Sequence, residues 1–159
     1  MNALDASPIW NDRLYMGAFP QPGTNVGAEG FDLLVICAME RLHFLGNPPE
    51  SYTTSAYGCP TLHAPFDDGE VNDDVVSAVV RGAKATARAL ADGDKVLVTC
   101  NEGRNRSGLV VAVSLLALFP RMRPDEVVDL VKKRRKTRSG HPALTNENFV
   151  ALIRCWKRP

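Results

Sequence analysis

The stretch Val96-Leu-Val-Thr-Cys100-Asn-Glu-Gly103-Arg-Asn-Arg106-Ser107-Gly108 decides how the rest of the chain is interpreted. A short apolar run ends at Cys100, and a helix-length apolar segment follows Ser107. These two segments predict a β-strand, a loop and an α-helix, in that order. The loop therefore leads into a helix N-terminus, where backbone N–H groups and the positive end of the helix dipole favour an anion. Gly103 permits a backbone conformation in which successive amides turn inward.

The residue types in this loop indicate phosphoryl transfer through a covalent phosphocysteine. A ring of amides stabilises a thiolate, the nucleophilic form of Cys100. The planar guanidinium of Arg106 can hold two phosphate oxygens at once, and the Ser107 hydroxyl can donate to the sulfur. A buried structural cysteine beside a surface arginine is the alternative, but it would need neither Gly103 nor Ser107. The predicted phosphate-binding residues are Asn101, Glu102, Gly103, Arg104, Asn105 and Arg106.

The loop from Cys100 to Ser107 resembles the signature loop of the cysteine-dependent protein tyrosine phosphatases, and the chain from Ile9 to Trp156 resembles their dual-specificity branch. The resemblance implies one catalytic domain over residues 1–159, built as a three-layer α/β sandwich whose central, mostly parallel sheet is flanked by helices. The alternation of strands and helices along the chain favours the same class. The resemblance implies neither a metal nor a cofactor.

A loop after the predicted strand Thr61–Phe66 offers a general acid. Cleavage of a phosphoester needs a proton for the leaving oxygen, and a carboxylic acid can supply it. The Pro-x-x-Asp pattern from Pro65 to Asp68 resembles the general-acid loop of the family, so Asp68 is the predicted acid. Asp67, one residue earlier, is the alternative. Asn72 is expected to cap the helix that follows, and Asn146 the last helix of the chain.

Two positions near the nucleophile carry further expectations. The family usually has histidine before the cysteine, whereas this chain has the uncharged Thr99, so we expect weaker stabilisation of the thiolate. Some tensin-like members have a cysteine at the position of Cys37 that forms a disulfide with the nucleophile. The resemblance therefore implies a reversible Cys37–Cys100 disulfide, with a small buried hydrophobic residue as the alternative.

The remaining elements are predicted from periodicity and capping signals. Residues 1–13 are interpreted as a polar lead-in, and residues 46–60 as a loop with a short edge strand. The basic run Lys132–Lys136 is interpreted as a solvated face, with a positive rim for acidic substrates as the alternative. The other predicted elements are strands at Arg13–Gly17 and Phe31–Met39 and helices at Asp73–Leu90, Ser107–Phe119, Pro124 onward and Glu147–Trp156.

Composition restricts the classes of partner. The chain has 159 residues and a net charge of +1, with 45% hydrophobic and 23% charged residues, as in a globular domain with a real core. A net charge this small does not favour binding to nucleic acid. The sequence has no long uncharged apolar span, so we expect no integral membrane contact. The four cysteines lack metal-ligand spacing. With no signal peptide recognised, a reducing cytoplasm is the expected location.

The predicted activity is hydrolysis of phosphotyrosine in a phosphorylated protein or peptide, with phosphoserine and phosphothreonine left open. A phosphoinositide phosphatase of the same superfamily is the first alternative. Such loops tend to be doubly basic around the glycine, whereas this one has Glu102 and Arg104. For Arg104, pairing with Glu102 or Glu70 is the alternative to a contact with substrate. A rhodanese-like sulfurtransferase is a more distant alternative. A non-catalytic binding module would need to lose the cysteine, the arginine or the acid. Oligomeric state is not predicted.

Overall fold

The computed structural model describes residues 4–21, 23–38, 53–54 and 57–157. Its strands form one six-stranded sheet in the order β1-β2-β6-β3-β5-β4. The strands are β1 (Ala6–Trp10), β2 (Leu14–Ala18), β3 (Leu33–Ala38), β4 (Thr53–Thr54), β5 (Pro60–Phe66) and β6 (Val96–Cys100). The helices are α1 (Asp73–Ala91), α2 (Arg106–Leu118), α3 (Pro124–Arg134) and α4 (Glu147–Arg154).

The four central strands β2, β6, β3 and β5 run parallel, and β1 and β4 pair antiparallel at the two edges. The mostly parallel α/β fold predicted from the sequence is therefore confirmed. Parallel strands end at one edge of the sheet, where α/β proteins bind their ligands. Cys100 ends β6 and Phe66 ends β5 at that edge. The topology thus brings two loops to the same side of the molecule. The cysteine loop (residues 101–105) follows β6, and the acidic loop (residues 67–72) follows β5.

Strand β3 shows why the sheet is buried on both faces. All six of its residues are buried, as the continuous apolar run predicts for a central parallel strand. Val35 and Cys37 pack into the cluster that contains the four α-helices, while Leu34 and Ile36 pack into a second cluster on the opposite face. Among the described residues, that second cluster includes aromatic side chains from the segments around the 3-10 turn Gly27–Glu29.

Helix α2 is the central helix of the domain. Its residues are buried from Arg106 to Leu116, and it packs against the sheet and against the other three helices. A helix that is apolar on most sides must be enclosed in this way. Its N-terminus is therefore fixed by packing along the whole helix, so the loop before it starts from a rigid support.

Helix capping follows the signals in the sequence. The Asn72 side chain accepts a hydrogen bond from the Val75 amide at 2.9 Å, at the start of α1. Asn146 accepts in the same way from the amides of Asn148 and Phe149 at the start of α4. Both asparagines satisfy amides that the helix itself leaves unpaired.

The segment before Arg13 was the main error of the sequence interpretation. Residues 6–10 form the edge strand β1 rather than a polar lead-in, with Ser7 and Ile9 buried. Pro8 weakens the strand signal, and the pairing with β2 shifts register between Pro8 and Trp10. The predicted strand at Arg13–Gly17 is β2.

The edge strand expected within residues 46–60 corresponds to the two residues of β4, and positions 46–52 of that prediction lie outside the described residues. Among the helices that the structure describes, none has both the length and the apolar character that crossing a bilayer requires.

The buried His63 makes stability depend on pH. His63 lies on β5 opposite Ile36 of β3, and burial lowers the pKa of its imidazole below the ordinary value of 6.5. Between the folded and unfolded pKa values only the unfolded chain binds the proton, so stability falls as the pH drops below about 6.5.

We expect a His63→Leu variant to lose less stability than the wild type between about pH 7.5 and 5.5 in urea unfolding. His141→Leu, at an exposed histidine, should follow the wild type, and equal losses in all three proteins would contradict the assignment.

Candidate active site

Cys100 ends the central strand β6 and is almost fully buried, with 3% of its surface exposed. Strands β2 and β3 flank β6 on either side, so the cysteine is held at the middle of the sheet. Its sulfur lies 3.3 Å from the hydroxyl oxygen of Ser107, in the first turn of α2. The loop between them thus closes on itself and brings the nucleophile candidate to the N-terminus of the helix.

Four successive carbonyl groups of this loop are directed outward and are held by other parts of the chain. The Phe19 amide donates to the Asn101 carbonyl at 3.2 Å, and the Leu144 amide donates to the Arg104 carbonyl at 3.0 Å. Between them, the Arg135 guanidinium donates to the carbonyls of Glu102 at 3.2 Å and Gly103 at 2.8 Å. Three separate segments therefore fix the orientation of the loop peptides.

The outward carbonyls determine where the loop amides point. A trans peptide holds its carbonyl antiparallel to the N–H of the next residue. The N–H groups of residues 102–105 therefore point to the inner side of the loop, next to the first-turn amides of α2 that the helix leaves unpaired. The result is a ring of inward-facing amides, an arrangement that favours an anion.

Gly103 is required for two reasons. Its φ of +70° lies in the left-handed region that residues with a side chain rarely adopt. A Cβ at this position would also overlap the backbone of Gly17 and Ala18 on β2. The loop therefore packs directly against the neighbouring strand, backbone to backbone.

Arg135 is the functional residue that the sequence interpretation missed. Its neighbours in the basic run, Lys132, Lys133, Arg134 and Lys136, are exposed, as a solvated face requires. Arg135 itself is buried behind the loop and forms an ion pair with Asp5 at 2.9 Å. In the sequence Arg135 is one cation among several in this run, and its contacts come from segments far away in the chain.

The ring of amides opens into a pocket of about 110 Å³. Arg106 is 7% exposed, and its guanidinium donates to the Phe66 carbonyl at the end of β5 over 3.4 Å. This contact ties the cysteine loop to the strand that precedes the acidic loop. The residues lining the pocket are Asp68, Cys100, Asn101, Glu102, Arg104, Asn105 and Arg106.

The structure separates the two candidate acids. Asp68 lines the Cys100 pocket, whereas Asp67 lines a different groove beside the start of α1. The Asp68 carboxylate accepts hydrogen bonds from two side-chain amides, that of Asn146 at 2.8 Å and that of Asn105 at 3.2 Å. The acidic loop is therefore fastened over the pocket through Asp68.

The rim of the pocket carries an ion pair. Arg104 donates through Nη1 to the Glu102 carboxylate at 3.0 Å, as one of the sequence alternatives anticipates. Its Nε donates to the Pro142 carbonyl at 2.9 Å and its Nη2 to the Thr145 hydroxyl at 3.2 Å. Each nitrogen of this guanidinium is thus engaged within the protein, and the Arg104 side chain forms part of the wall.

Two residues beside Cys100 complete the site. The Thr99 hydroxyl donates to the Val35 carbonyl at 3.2 Å, so it binds the sheet backbone at the position where the family usually has histidine. Cys37 follows the paired residues Ile36 and Thr99, which places it next to Cys100 on the adjacent strand. Burial, reinforced by Cys100, raises the pKa of the Cys37 thiol. Both cysteines are free thiols here, and a disulfide between them stays a prediction.

Arg135 and Arg134 offer a matched pair of variants. Arg135→Ala removes the donors for two loop carbonyls and the ion-pair partner of Asp5, so we expect a loss of about 3 kcal/mol in the free energy of unfolding. The affinity of the loop for inorganic vanadate should fall roughly tenfold, because the loop amides lose their fixed orientation. Arg134→Ala, at an exposed position, should change stability by less than about 0.5 kcal/mol. Equal behaviour of the two variants in urea unfolding and vanadate titration would contradict this role.

The chain is similar in structure to solved phosphatases. It matches Tk-PTP in its active form with 21% identity and a TM-score of 0.69, over 94% of this chain and 93% of that one. It matches human DUSP28 with 20% identity and a TM-score of 0.68, over 94% and 90% of the two chains. It also matches PTPMT1 in complex with PI(5)P, with 19% identity and a TM-score of 0.68, over 94% and 92%.

Sequence comparisons add no relative to these structures. No protein-family model matches the sequence, and the search of curated proteins finds no match. The structural similarity extends over nearly the whole chain and confirms the fold that the resemblance implies. The chain has the fold of the dual-specificity phosphatases in the cysteine-dependent protein tyrosine phosphatase superfamily.

Proposed function

We propose that this protein is a cysteine-dependent phosphatase that hydrolyses phosphotyrosine in phosphorylated proteins, with phosphoserine and phosphothreonine left open. One observation carries the proposal: Cys100, Arg106 and Asp68 line the same pocket of about 110 Å³. A nucleophile, a phosphate-binding cation and a proton donor are the three groups that phosphoester cleavage through a covalent intermediate requires. The structural neighbours, which are phosphatases, support the same class of reaction.

In the first step the Cys100 thiolate attacks phosphorus and forms the P–S bond. The bond between phosphorus and the leaving oxygen breaks, and Asp68 gives its proton to that oxygen. The loop amides and the Arg106 guanidinium hold the equatorial oxygens of the phosphoryl group, where negative charge develops in the transition state. The reaction produces the dephosphorylated side chain and a phosphocysteine.

In the second step the Asp68 carboxylate takes a proton from water, and the resulting hydroxide attacks phosphorus. The P–S bond breaks, its electron pair returns to sulfur, and inorganic phosphate is released. The Ser107 hydroxyl, 3.3 Å from the sulfur, stabilises the departing thiolate by a hydrogen bond. The proposed cycle uses this chain's own groups, without a metal or cofactor, and treats residues 1–159 as one catalytic domain.

The rim favours phosphoproteins over phosphoinositides. A substrate with further phosphates near the scissile one needs extra cations at the pocket mouth. The Arg104 guanidinium already donates to Glu102, Pro142 and Thr145, so it is not directed towards a second phosphate of a substrate. Half of the Glu102 side chain is exposed, and its carboxylate repels a neighbouring phosphate. The complex of PTPMT1 with PI(5)P keeps the lipid alternative open, and the experiment below includes it.

The reducing environment that a catalytic thiol needs supports a cytoplasmic location for this activity.

A substrate panel tests the proposed function. We expect the wild-type protein to hydrolyse phosphotyrosine peptides and to act less on phosphoinositides, with phosphate release as the measurement. Cys100→Ser should abolish turnover, because a serine hydroxyl is a poor nucleophile at neutral pH. Thiosulfate:cyanide activity in the wild type would indicate a sulfurtransferase instead. Comparable release of phosphate by Cys100→Ser would refute the covalent mechanism.

The rim pair can be tested within the same panel. Glu102→Gln removes the repelling charge with little change in shape, and Glu102→Lys reverses it. We expect the ratio of phosphoinositide to phosphopeptide kcat/KM to rise about fivefold for each unit of charge, equivalent to about 1 kcal/mol between charges near 4 Å apart in water. An unchanged ratio in both variants would show that the rim does not select the substrate.

The assignment of the acid has its own pair of variants. Asp68→Asn should lower kcat roughly a hundredfold and abolish the basic limb of the pH–rate profile, because the leaving oxygen then receives no proton from the protein. Asp67→Asn should stay within about twofold of the wild type, since Asp67 lies outside the Cys100 pocket. If Asp67→Asn instead loses the basic limb, the acid is Asp67.

A further inference from the structure

The Asp68 carboxylate is held by two asparagines from different parts of the chain. Oδ1 accepts a hydrogen bond from the Asn146 amide at 2.8 Å, and Oδ2 accepts one from the Asn105 amide at 3.2 Å. Asn105 lies in the cysteine loop, and Asn146 lies immediately before α4. Each carboxylate oxygen therefore has a donor, one from the cysteine loop and one from the start of α4.

The orientation of both amides is fixed by their other contacts. The side-chain oxygen of Asn105 accepts from the backbone amides of Thr145 at 2.8 Å and Asn146 at 3.0 Å. The side-chain oxygen of Asn146 accepts from the amides that begin α4. Since the oxygens face backbone donors, the NH₂ groups must face Asp68. A reversed amide would place two donors against each other in both cases.

Asn105 and Asn146, together called the clamp, also connect the acidic loop to the hydrophobic core. The Asn146 amide donates to the Gly69 carbonyl at 3.1 Å as well, so it holds the backbone next to Asp68. Phe149 in the first turn of α4 is fully buried against Phe66, with ring centroids 5.9 Å apart. The end of β5, the acidic loop and the start of α4 therefore form one packed unit.

We propose that Asn105 and Asn146 are the positioning residues of the general acid, a role that rests on the proposed function of Asp68. Neutral amides hold both carboxylate oxygens without adding charge to a pocket that must accept a phosphate dianion. A carboxylate oxygen can accept two hydrogen bonds, so the remaining lone pairs stay available for the transferred proton and the attacking water. The clamp fixes the direction in which that proton is delivered, and misplacement of a reacting group is costly.

The test uses substrates that differ in their need for an acid. A leaving group that is already a weak base, such as 4-nitrophenolate, gains little from protonation, whereas phenolate gains much. We expect Asn146→Ser to lower kcat/KM roughly tenfold or more for phenyl phosphate and less than about threefold for 4-nitrophenyl phosphate.

Serine at position 146 separates positioning from folding. Serine is as good an N-cap as asparagine, so the start of α4 is kept, but its single hydroxyl is occupied by the cap and does not reach Asp68. Asn72→Ala is the matched control, because Asn72 caps α1 in the same way and makes no hydrogen bond to Asp68 in the described structure. It should lower the unfolding free energy by about 1 kcal/mol and leave the ratio between the two substrates unchanged.

The outcomes distinguish the two proposals. If Asp68→Asn shows the leaving-group dependence and Asn146→Ser does not, the clamp is structural and the positioning role is wrong. If Asp68→Asn itself shows no such dependence, the acid assignment fails and the positioning role fails with it. A selective loss for phenyl phosphate in both variants, with Asn72→Ala unchanged, supports both.

Discussion

The outward orientation of four carbonyl groups is the constraint on which this site depends. Without these constraints, some peptides of the loop would direct their carbonyls towards the pocket. Those carbonyls would repel an anion. Here the Phe19 amide, the Arg135 guanidinium and the Leu144 amide hold the carbonyls away from the pocket. Among the backbone groups of the loop, amides rather than carbonyls then face the pocket. The proposed binding of a phosphoryl group and the proposed role of Cys100 both depend on this single arrangement.

The sheet supplies the rest of the geometry. Because β2, β6, β3 and β5 are parallel, Cys100 and Asp68 both lie at one edge of the sheet although β3 separates their strands. The buried helix α2 then sets the direction of the ring of amides, and α4 sets the position of the acidic loop. Each catalytic candidate is thus placed by a different rigid element, and the loops between them have little freedom to rearrange.

The sequence predicted the parts of the site that are local. Cys100, Gly103, Arg106 and Ser107 stand within eight residues, and their strand and helix are strongly apolar, so motif and periodicity agree. The α/β class and the helix caps at Asn72 and Asn146 followed from the same kind of signal. Spacing alone could not show whether Asp68 or Asp67 is the acid, because adjacent residues differ in the direction of their side chains and not in their distance from Cys100 along the chain. Their placement in two different pockets came only from the structure.

The long-range parts of the site could not be predicted from the sequence. Arg135 reaches the loop from 32 residues away, and Asn146 reaches Asp68 from 78. In the sequence, Arg135 is one of several cations, and Asn146 is only a helix cap. Their second roles depend on contacts that no local pattern encodes. Strand β1 was missed for a related reason, since its pairing partner rather than its own composition makes it a strand.

The close packing of Gly103 on Gly17 has a consequence for how the protein can fail. A Cβ at Gly17 would collide with the Asp5 carbonyl, and one at Gly103 would collide with Gly17, so three backbone segments are stacked without side chains between them. Asp5 also receives Arg135 and precedes β1, a strand at the border of the sheet. Local opening of a native protein can cost much less free energy than its global unfolding. Local opening of β1 would therefore release the cysteine loop from its supports while the helical core is still folded. Loss of activity would then precede global unfolding.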